Sequence, residues 1–558
     1  MRLYIILILL LSLTMAMAES LVIRLHSPSP AELEWLKTQD IDWQPIDGDA
    51  LLIADDAVRD ALEQRGISWV IVDSLERMSR DLAGYPSPQT VIDSLYTLAA
   101  QYQNITQLIN LGPSTCHQYY LAGDTDYIDF QYDVICLKVS DNPQDEEDEA
   151  NVFFTGGIHA REAISIPVPL HILEYLLQNY SVDPQVTQWI DDNQIWFVPL
   201  INPDGYHVSW ETLHTYHRKN MRDNDNDGLP DYSATDGVDL NRNFGYVWGN
   251  NGASSSIHSS IYHGPNAWSE TEVCYLRDLI QARKFWGGIT YHSAGEWVLY
   301  PLGHLPGACS YDHAIMGDLA VAMAAIIPCI SGTGHYTPIQ AVDFGYTCQG
   351  TMGDWGYAEE RLFSFTLELA TTYIPPATQI ATICADNLQA ALMFLDRAGA
   401  ATVTGHVSGP ENEPLVADIH VAEIDTVGGM SSVEAVRSGQ TFGRYWRHLL
   451  PGSYTFTFSA QDYLPVTIEN VAVSDTGRTV LDVTLASQWV PGVQIVADSS
   501  EVTLSWSPEP DLTYSVYWAP EAIGTYEPAT GTFLSPGVWS QNCDEERRFY
   551  RVKRAPVR

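Results

Sequence analysis

The chain reads as an α/β protein: a mixed, mostly buried sheet with helices on both faces, preceded by a small α/β region and followed by two β-sandwich-like regions. Three observations predict this. Between residues 81 and 398, short apolar runs alternate with longer helical stretches, the pattern of a sheet covered by helices. Residues 19–80 show the same alternation on a smaller scale. After about residue 398 the helical period gives way to short strands separated by turn signals. A length of 558 residues exceeds what one core supports and suits three or four domains.

The first 18 residues have the form of an export signal: Arg2, an apolar run over 4–14 too short to span a bilayer, and the small-residue site Ala16-Met17-Ala18. The expected mature chain begins at Glu19 and is secreted or periplasmic. A retained N-terminal anchor is the alternative. No later stretch of 18 apolar residues is present, so no membrane span is expected after signal removal.

In 19–80, strands are expected at 21–25, 51–53 and 69–72, and helices at 30–38, with Ser27 or Ser29 near the start, and at 57–65. In 81–398, strands are expected at 134–137, 152–155, 194–200, 288–291 and 363–369. Helices are expected at 88–101, 167–178, 270–283 and 311–326, with Ser87 and Ser269 as start signals. Cys116 with Cys136, and Cys309 with Cys329, are plausible local pairs, while Cys543 stands apart.

Chemistry-bearing residues cluster at strand ends. The Gly156-Gly157 pair breaks the apolar run 152–155 and leads into His159-Ala160-Arg161-Glu162. An imidazole and a carboxylate three positions apart at a turn can share a zinc ion. His292 ends a second apolar run, so two His and one Glu would leave a fourth zinc position open to water. Glu368 lies inside the apolar run Phe365-Thr366-Leu367-Glu368-Leu369. A carboxylate there is either paired, for instance with Arg361, or a general base beside the metal. Asn241 and Arg242, beside Asp239 and with Arg218 upstream, supply donors suited to a carboxylate-bearing ligand. The run Asp223, Asp225, Asp227, Gly228 and Asp231 resembles a short calcium loop but lacks the EF-hand glutamate, since Ala234 stands at that position. A flexible acidic loop is the competing account.

Together these motifs resemble the zinc metallocarboxypeptidases related to carboxypeptidases A, B and T, over about 81–375 and in the family's order and spacing. The resemblance implies that His159, Glu162 and His292 hold zinc, that Glu368 is the general base for zinc-activated water, and that Arg218 stabilises the oxyanion. It implies that Asn241 and Arg242 clamp the substrate's terminal carboxylate, that Tyr346 is the mobile tyrosine, that Arg161 lines a neighbouring subsite and that Asp239 orients His159. Members that prefer basic residues carry an acid where Gly353 stands here. Thr351, Met352 and Gly353 therefore imply a neutral pocket for apolar or aromatic C-terminal residues, whereas a one-residue shift would bring Asp354 into play and favour Lys or Arg. Ala294 replaces a tyrosine of the pancreatic members.

The implied division is a signal over 1–18, a pro-region-like unit over 19–80, a catalytic domain over 81–398, a transthyretin-like sandwich over 399–487 and a fibronectin type III-like unit over 488–558. Pro451-Gly452-Ser453-Tyr454 carries the transthyretin-like resemblance. Neither β region holds a chemical constellation, leaving scaffold, substrate docking and surface attachment open.

A formal charge of −42 excludes nucleic acid as a partner, because phosphate binding needs a basic surface. The expected partners are peptides or proteins with a free C-terminus. Two other classes fit the motifs: a binding protein with a silent peptidase domain, which an intact Glu368 argues against, and an amidase acting on cell-wall peptides.

Overall fold

The computed structural model describes residues 21–556 apart from 39–40, 42, 47–48, 74–81, 215, 231, 233–234, 250, 345–346, 399–401, 426–432, 475–476, 498–500, 511, 521–524 and 543–547. The export signal, Cys543, Tyr346 and Asp231 thus lie outside the described residues.

The N-terminal unit is a four-stranded sheet in the order β2-β3-β1-β4, built from β1 (Leu21–Leu25), β2 (Trp43–Ile46), β3 (Asp49–Ala54) and β4 (Trp69–Asp73). Helices α1 (Pro30–Thr38) and α2 (Asp56–Gln64) complete it. Ser29 accepts from Glu32 N–H while Glu32 accepts from Ser29 N–H, a reciprocal cap that starts α1 where the sequence predicts it. Strand β2 was not legible: it is a short edge strand containing Pro45.

The main sheet has eight strands in the order β11-β10-β12-β9-β7-β8-β6-β5. Its strands are β5 (Thr106–Pro113), β6 (Asp133–Val139), β7 (Ala150–Thr155), β8 (Asn193–Val198), β9 (Phe285–Ser293), β10 (Trp297–Tyr300), β11 (Thr337–Gln340) and β12 (Phe363–Leu369). The central strands β7, β9 and β12 run parallel to one another, and every residue of β7 and β9 is buried. This is why they read as continuous apolar runs. The helices are α3 (Pro88–Gln101), α4 (Thr115–Leu121), α5 (Pro167–Asn179), α6 (Pro184–Asp191), α7 (Pro203–Trp210), α8 (Thr271–Arg283), α9 (His313–Ala324), α10 (Met352–Glu360) and α11 (Ile380–Ala398). Ser87 caps α3 as expected. Ser269 does not cap α8: Glu270 occupies that position without a side-chain cap bond, and the Ser269 hydroxyl donates to Glu270 instead.

Beyond residue 401 two β regions follow. The first pairs a sheet of β13 (Thr402–Ser408), β16 (Arg444–His448), β19 (Arg478–Val480) and β20 (Val483–Thr484) with a sheet of β14 (Asp418–Val421), β15 (Val436–Arg437), β17 (Gly452–Ser459) and β18 (Val466–Val473). Val403, Ile419, Tyr445, Phe456 and Phe458 fill the space between them. The second uses β21 (Gln494–Ala497), β22 (Glu501–Ser505), β25 (Thr532–Ser535) and β26 (Val538–Asn542) in one sheet. Strands β23 (Leu512–Ala519), β24 (Glu527–Pro528) and β27 (Phe549–Pro556) form the other, and Leu504, Val516, Trp539 and Val552 lie between the two.

The expected cysteine pairs do not form: Cys116, Cys136 and Cys309 are thiols. Cys116 lies on α4 with its Sγ 3.6 Å from the Met221 carbonyl, while Cys136 is inside strand β6. No helix among the described residues is long and apolar enough to cross a membrane.

Candidate metal centre and active site

The site lies at the carboxyl ends of β7, β9 and β12. Register pairs Glu368 of β12 beside His292 of β9, so both side chains emerge together. His159 arrives from the turn after β7. There Gly157 has φ +62°, and a Cβ on Gly156 would stand 2.0 Å from the Ser165 carbonyl oxygen, so the glycine pair is what lets this turn close.

The two histidines and Glu162 converge. His159 Nδ1 is 2.8 Å from Glu162 Oε1, His292 Nδ1 is 3.0 Å from Glu162 Oε2, and the two Nδ1 atoms are 3.1 Å apart. On the other side of the ring, His159 Nε2 is 3.2 Å from Asp239 Oδ1. With Nε2–H donating to Asp239, the Nδ1 lone pair faces inward. Two inward imidazole nitrogens at 3.1 Å beside a carboxylate form a donor set that wants a cation between them. A tetrahedral zinc with ligands at about 2.0–2.1 Å separates its donors by about 3.3 Å, close to what is found here.

Electrostatics agree for Glu162, Asp239 and His159, whereas at His292 the lowering by burial is outweighed by Glu162, which raises it above its ordinary value. Burial alone would raise the Glu162 carboxyl, but His159 and His292 hold it well below its ordinary value. Burial would likewise raise Asp239, and Arg218, Arg242 and His159 overcome it. Burial lowers the His159 pKa, with Arg218 adding to it, which favours the neutral, ligating form. Glu368 is pushed up to about 7, chiefly by burial; Glu162 adds to the rise and His292 opposes it.

Other predicted residues gather around the same cavity. Arg218 donates from Nε to Asp239 Oδ2 at 2.9 Å and from Nη1 to Glu162 Oε1 at 3.3 Å. Asn241 accepts the Met352 N–H at 2.9 Å and so holds the first turn of α10. Arg242 donates from Nε to the Gly252 carbonyl and from Nη1 to the Asn241 carbonyl. Both line the cavity with Arg218, Thr290, Met352 and Gly353. Arg161 is buried and stacks over Tyr373, 4.4 Å from the ring centre; it does not line this cavity. Glu368 is not paired with Arg361, which instead meets Asp312 at 2.6 Å.

Asp223, Asp225 and Asp227 also bring carboxylate oxygens within 4.8 Å of one another. Each caps backbone N–H groups of its own loop.

The sequence profile of the zinc carboxypeptidase family matches residues 131–390. Residues 131–390 form a zinc carboxypeptidase domain. The zinc carboxypeptidase of Saccharothrix mutabilis subsp. capreolus is 28% identical over 330 residues, covering 56% of this chain and 69% of that protein. Carboxypeptidase B of Helicoverpa zea is 30% identical over 278 residues, covering 47% of this chain and 62% of that protein. The crystal structure of carboxypeptidase A from Helicoverpa armigera aligns with a TM-score of 0.58 at 21% identity, covering 68% of this chain and 97% of that one, a likeness of fold. The zinc carboxypeptidase family implies zinc, and His159, Glu162 and His292 are the carboxypeptidase domain's His–Glu–His group.

Two features of the carboxypeptidase domain's site escaped the sequence. Asp354, one residue from the pocket position Gly353, is buried and accepts from Gly303 N–H at 2.9 and 3.0 Å, with His304 Nδ1 at 3.1 Å. Gln44, from the N-terminal sheet, enters the cavity and donates to Glu368 Oε2 at 3.1 Å and to the Ala294 carbonyl. No local signal marks Gln44, because only docking of the N-terminal unit brings it there.

Proposed function

We propose that this protein is a secreted zinc metallocarboxypeptidase that removes C-terminal residues with neutral, apolar or aromatic side chains from peptides or proteins. The observation that carries the reading is the meeting of His159, Glu162 and His292 in one buried triad with Glu368 alongside. His159, Glu162 and His292 would hold the metal, which when bound acidifies water and polarises a carbonyl.

The remaining roles belong to the chain. Glu368, with a pKa raised toward neutrality, accepts a proton from the attacking water. Water oxygen adds to the last peptide carbonyl, the C–N bond breaks, and Glu368 returns the proton to the leaving amine. Arg218, held by Asp239, faces the developing oxyanion. Asn241 and Arg242 line the cavity where a terminal carboxylate would sit, and select a free C-terminus. Tyr346 keeps its proposed role as the mobile tyrosine, and Arg161 that of a neighbouring-subsite residue.

Apolar preference is supported by the engagement of Asp354: a carboxylate already accepting from Gly303 and facing His304 has little left for a substrate lysine or arginine. Leu299, Tyr300, Phe344 and Met352 supply apolar walls. Residues 19–80 are proposed as a pro-region, on the strength of Gln44 at Glu368. Secretion is proposed on the N-terminal signal pattern. Calcium at the 223–227 loop rests on the convergence of its carboxylates alone; an unchanged melting temperature on adding calcium discards it.

The test is Glu368→Gln, assayed on peptides ending in Phe. The variant should fold and retain zinc, with turnover lower by a factor of about 10²–10⁴. Near-normal turnover overturns the assignment. Release of single C-terminal residues by the unmodified enzyme, followed by mass spectrometry, separates this reading from a silent binding protein and from a cell-wall amidase.

A further inference from the structure

A buried ionic cluster joins the first β-sandwich to the catalytic sheet. Asp312, immediately before α9, is fully buried. Its Oδ2 accepts from the Tyr357 hydroxyl at 2.8 Å and from Arg361 Nη2 at 2.6 Å, where Tyr357 lies on α10 and Arg361 is its C-cap. Its Oδ1 accepts at 2.5 Å from Nη1 of Arg447, on β16 of the sandwich. The same guanidinium reaches Asp425 of the sandwich through Nη2 at 2.7 Å, and Asp425 is 3.6 Å from Arg361. Each side contributes one Arg and one Asp and is neutral on its own; what joins them is the pairing across the joint, Arg447 with Asp312 and Arg361 with Asp425.

A second tie lies next to the first. His448 accepts from Trp286 Nε1 at 2.9 Å and packs against Phe363, with ring centres 4.9 Å apart. Trp286 is the second residue of β9 and Phe363 the first of β12. Six residues along β9 is His292, and five along β12 is Glu368, about 17–20 Å away at the rise of a strand. The opposite end of α10 from Arg361 begins at Met352 and Gly353, which line the cavity.

We infer that the β-sandwich of residues 402–485 is a positioning part of the active site, with Arg447 as the positioning residue. Its planar fork spans two carboxylates in one orientation and thereby sets where α10 ends and β12 begins. Burying ions stabilises a fold poorly compared with an apolar contact of similar volume, so such a cluster is better suited to fixing one arrangement than to adding stability. Arg447 touches no substrate; it acts through Asp312, Tyr357 and Arg361 on the element that carries the pocket at one end and leads into Glu368 at the other. This inference rests on the carboxypeptidase reading of the site.

The test uses the full-length chain carrying Arg447→Met together with Asp425→Asn. That pair of changes removes one charge of each sign and leaves Asp312 and Arg361 balanced. The expected result is a folded, zinc-binding protein in which kcat/KM for a peptide ending in Phe falls at least tenfold, and amide hydrogen exchange over 352–369 quickens at least tenfold. A lower melting temperature with kcat, KM and exchange over 352–369 all unchanged overturns the inference and leaves the sandwich a stabiliser only. Arg447→Lys should recover part of the loss, since an ammonium cannot span both carboxylates. Should the protein hydrolyse no peptide even after residues 19–80 are cleaved away, the carboxypeptidase reading fails and the exchange measurement alone decides the positioning role. Should the double variant not fold, Asp425→Asn alone, at the rim of the cluster, is judged by the same two criteria.

Discussion

Gln44 donates its side-chain amide to Glu368 across 324 positions of sequence, Nε2 to Oε2 at 3.1 Å. The donor belongs to an edge strand of the N-terminal sheet and the acceptor to the heart of the catalytic one. The intact chain therefore holds its proposed base engaged and its cavity partly filled. Peptide hydrolysis by the intact chain should be weak and should rise by at least tenfold when residues 19–80 are cleaved away. Gln44→Ala in the uncleaved chain should recover only part of that rise, since the strand still covers the cavity. Equal rates before and after cleavage would remove the pro-region from the account.

The pH profile follows from Glu368. Its ordinary value is 4.5, and burial, the largest cause, pushes it to about 7. The proposed base works as a carboxylate, so kcat/KM should be present at higher pH and lost as pH falls through the folded-state value. A bound cation would favour the carboxylate, and removing the N-terminal unit would hydrate it. Both lower the pKa, and they outweigh the small opposite effect of losing the Gln44 hydrogen bond. The acid limb should thus lie between about 4.5 and about 7, and lower for the cleaved enzyme than for the intact chain. A limb that moves upward on cleavage contradicts this.

Asp239 sets Oδ1 3.2 Å from His159 Nε2 and accepts from Arg218 Nε through Oδ2, which suits its proposed role of orienting His159. Asp239→Asn keeps the shape but removes the charge and weakens the acceptor. Zinc affinity, measured by competition with a chelator, should fall about 10–100-fold, with secondary structure retained. Unchanged affinity would show that the His159–Asp239 contact does not matter to the metal.

The proposed apolar specificity is tested at Gly353, which lines the cavity. A Cβ there would meet Ser364 Oγ at 3.9 Å and Pro301 Cγ at 4.0 Å, ordinary contacts, so a side chain can be accommodated. Gly353→Asp would place an unengaged carboxylate in the pocket, in contrast to Asp354, which Gly303 and His304 occupy. The ratio of kcat/KM for peptides ending in Arg over those ending in Phe should rise by about tenfold or more. A strong preference for Arg or Lys in the unmodified enzyme would instead refute the apolar reading.

Much of the site was legible because its parts are local. The Gly pair after β7, the histidine one residue before the end of β9 and the carboxylate inside β12 each break a rule of burial or backbone conformation at their own position. The short strands β10 and β11 were missed, since four residues carry too little pattern to separate a strand from loop. The cysteine pairs failed for a related reason: nearness in sequence says little about whether two thiols face one another.

The sequence by itself determined the central elements and the chemistry each carries: which strands are buried on both faces, where glycine must turn the chain, and which imidazoles and carboxylates stand at strand ends. Only the tertiary structure decided what those groups face. That Asp354 is spoken for, that Gln44 reaches Glu368, and that Arg447 closes on Asp312 all depend on side chains brought together over 50, 324 and 135 positions. Such contacts leave no periodic trace, because hydrogen bonds and ion pairs are set by distances of about 3 Å in space and not by spacing along the chain.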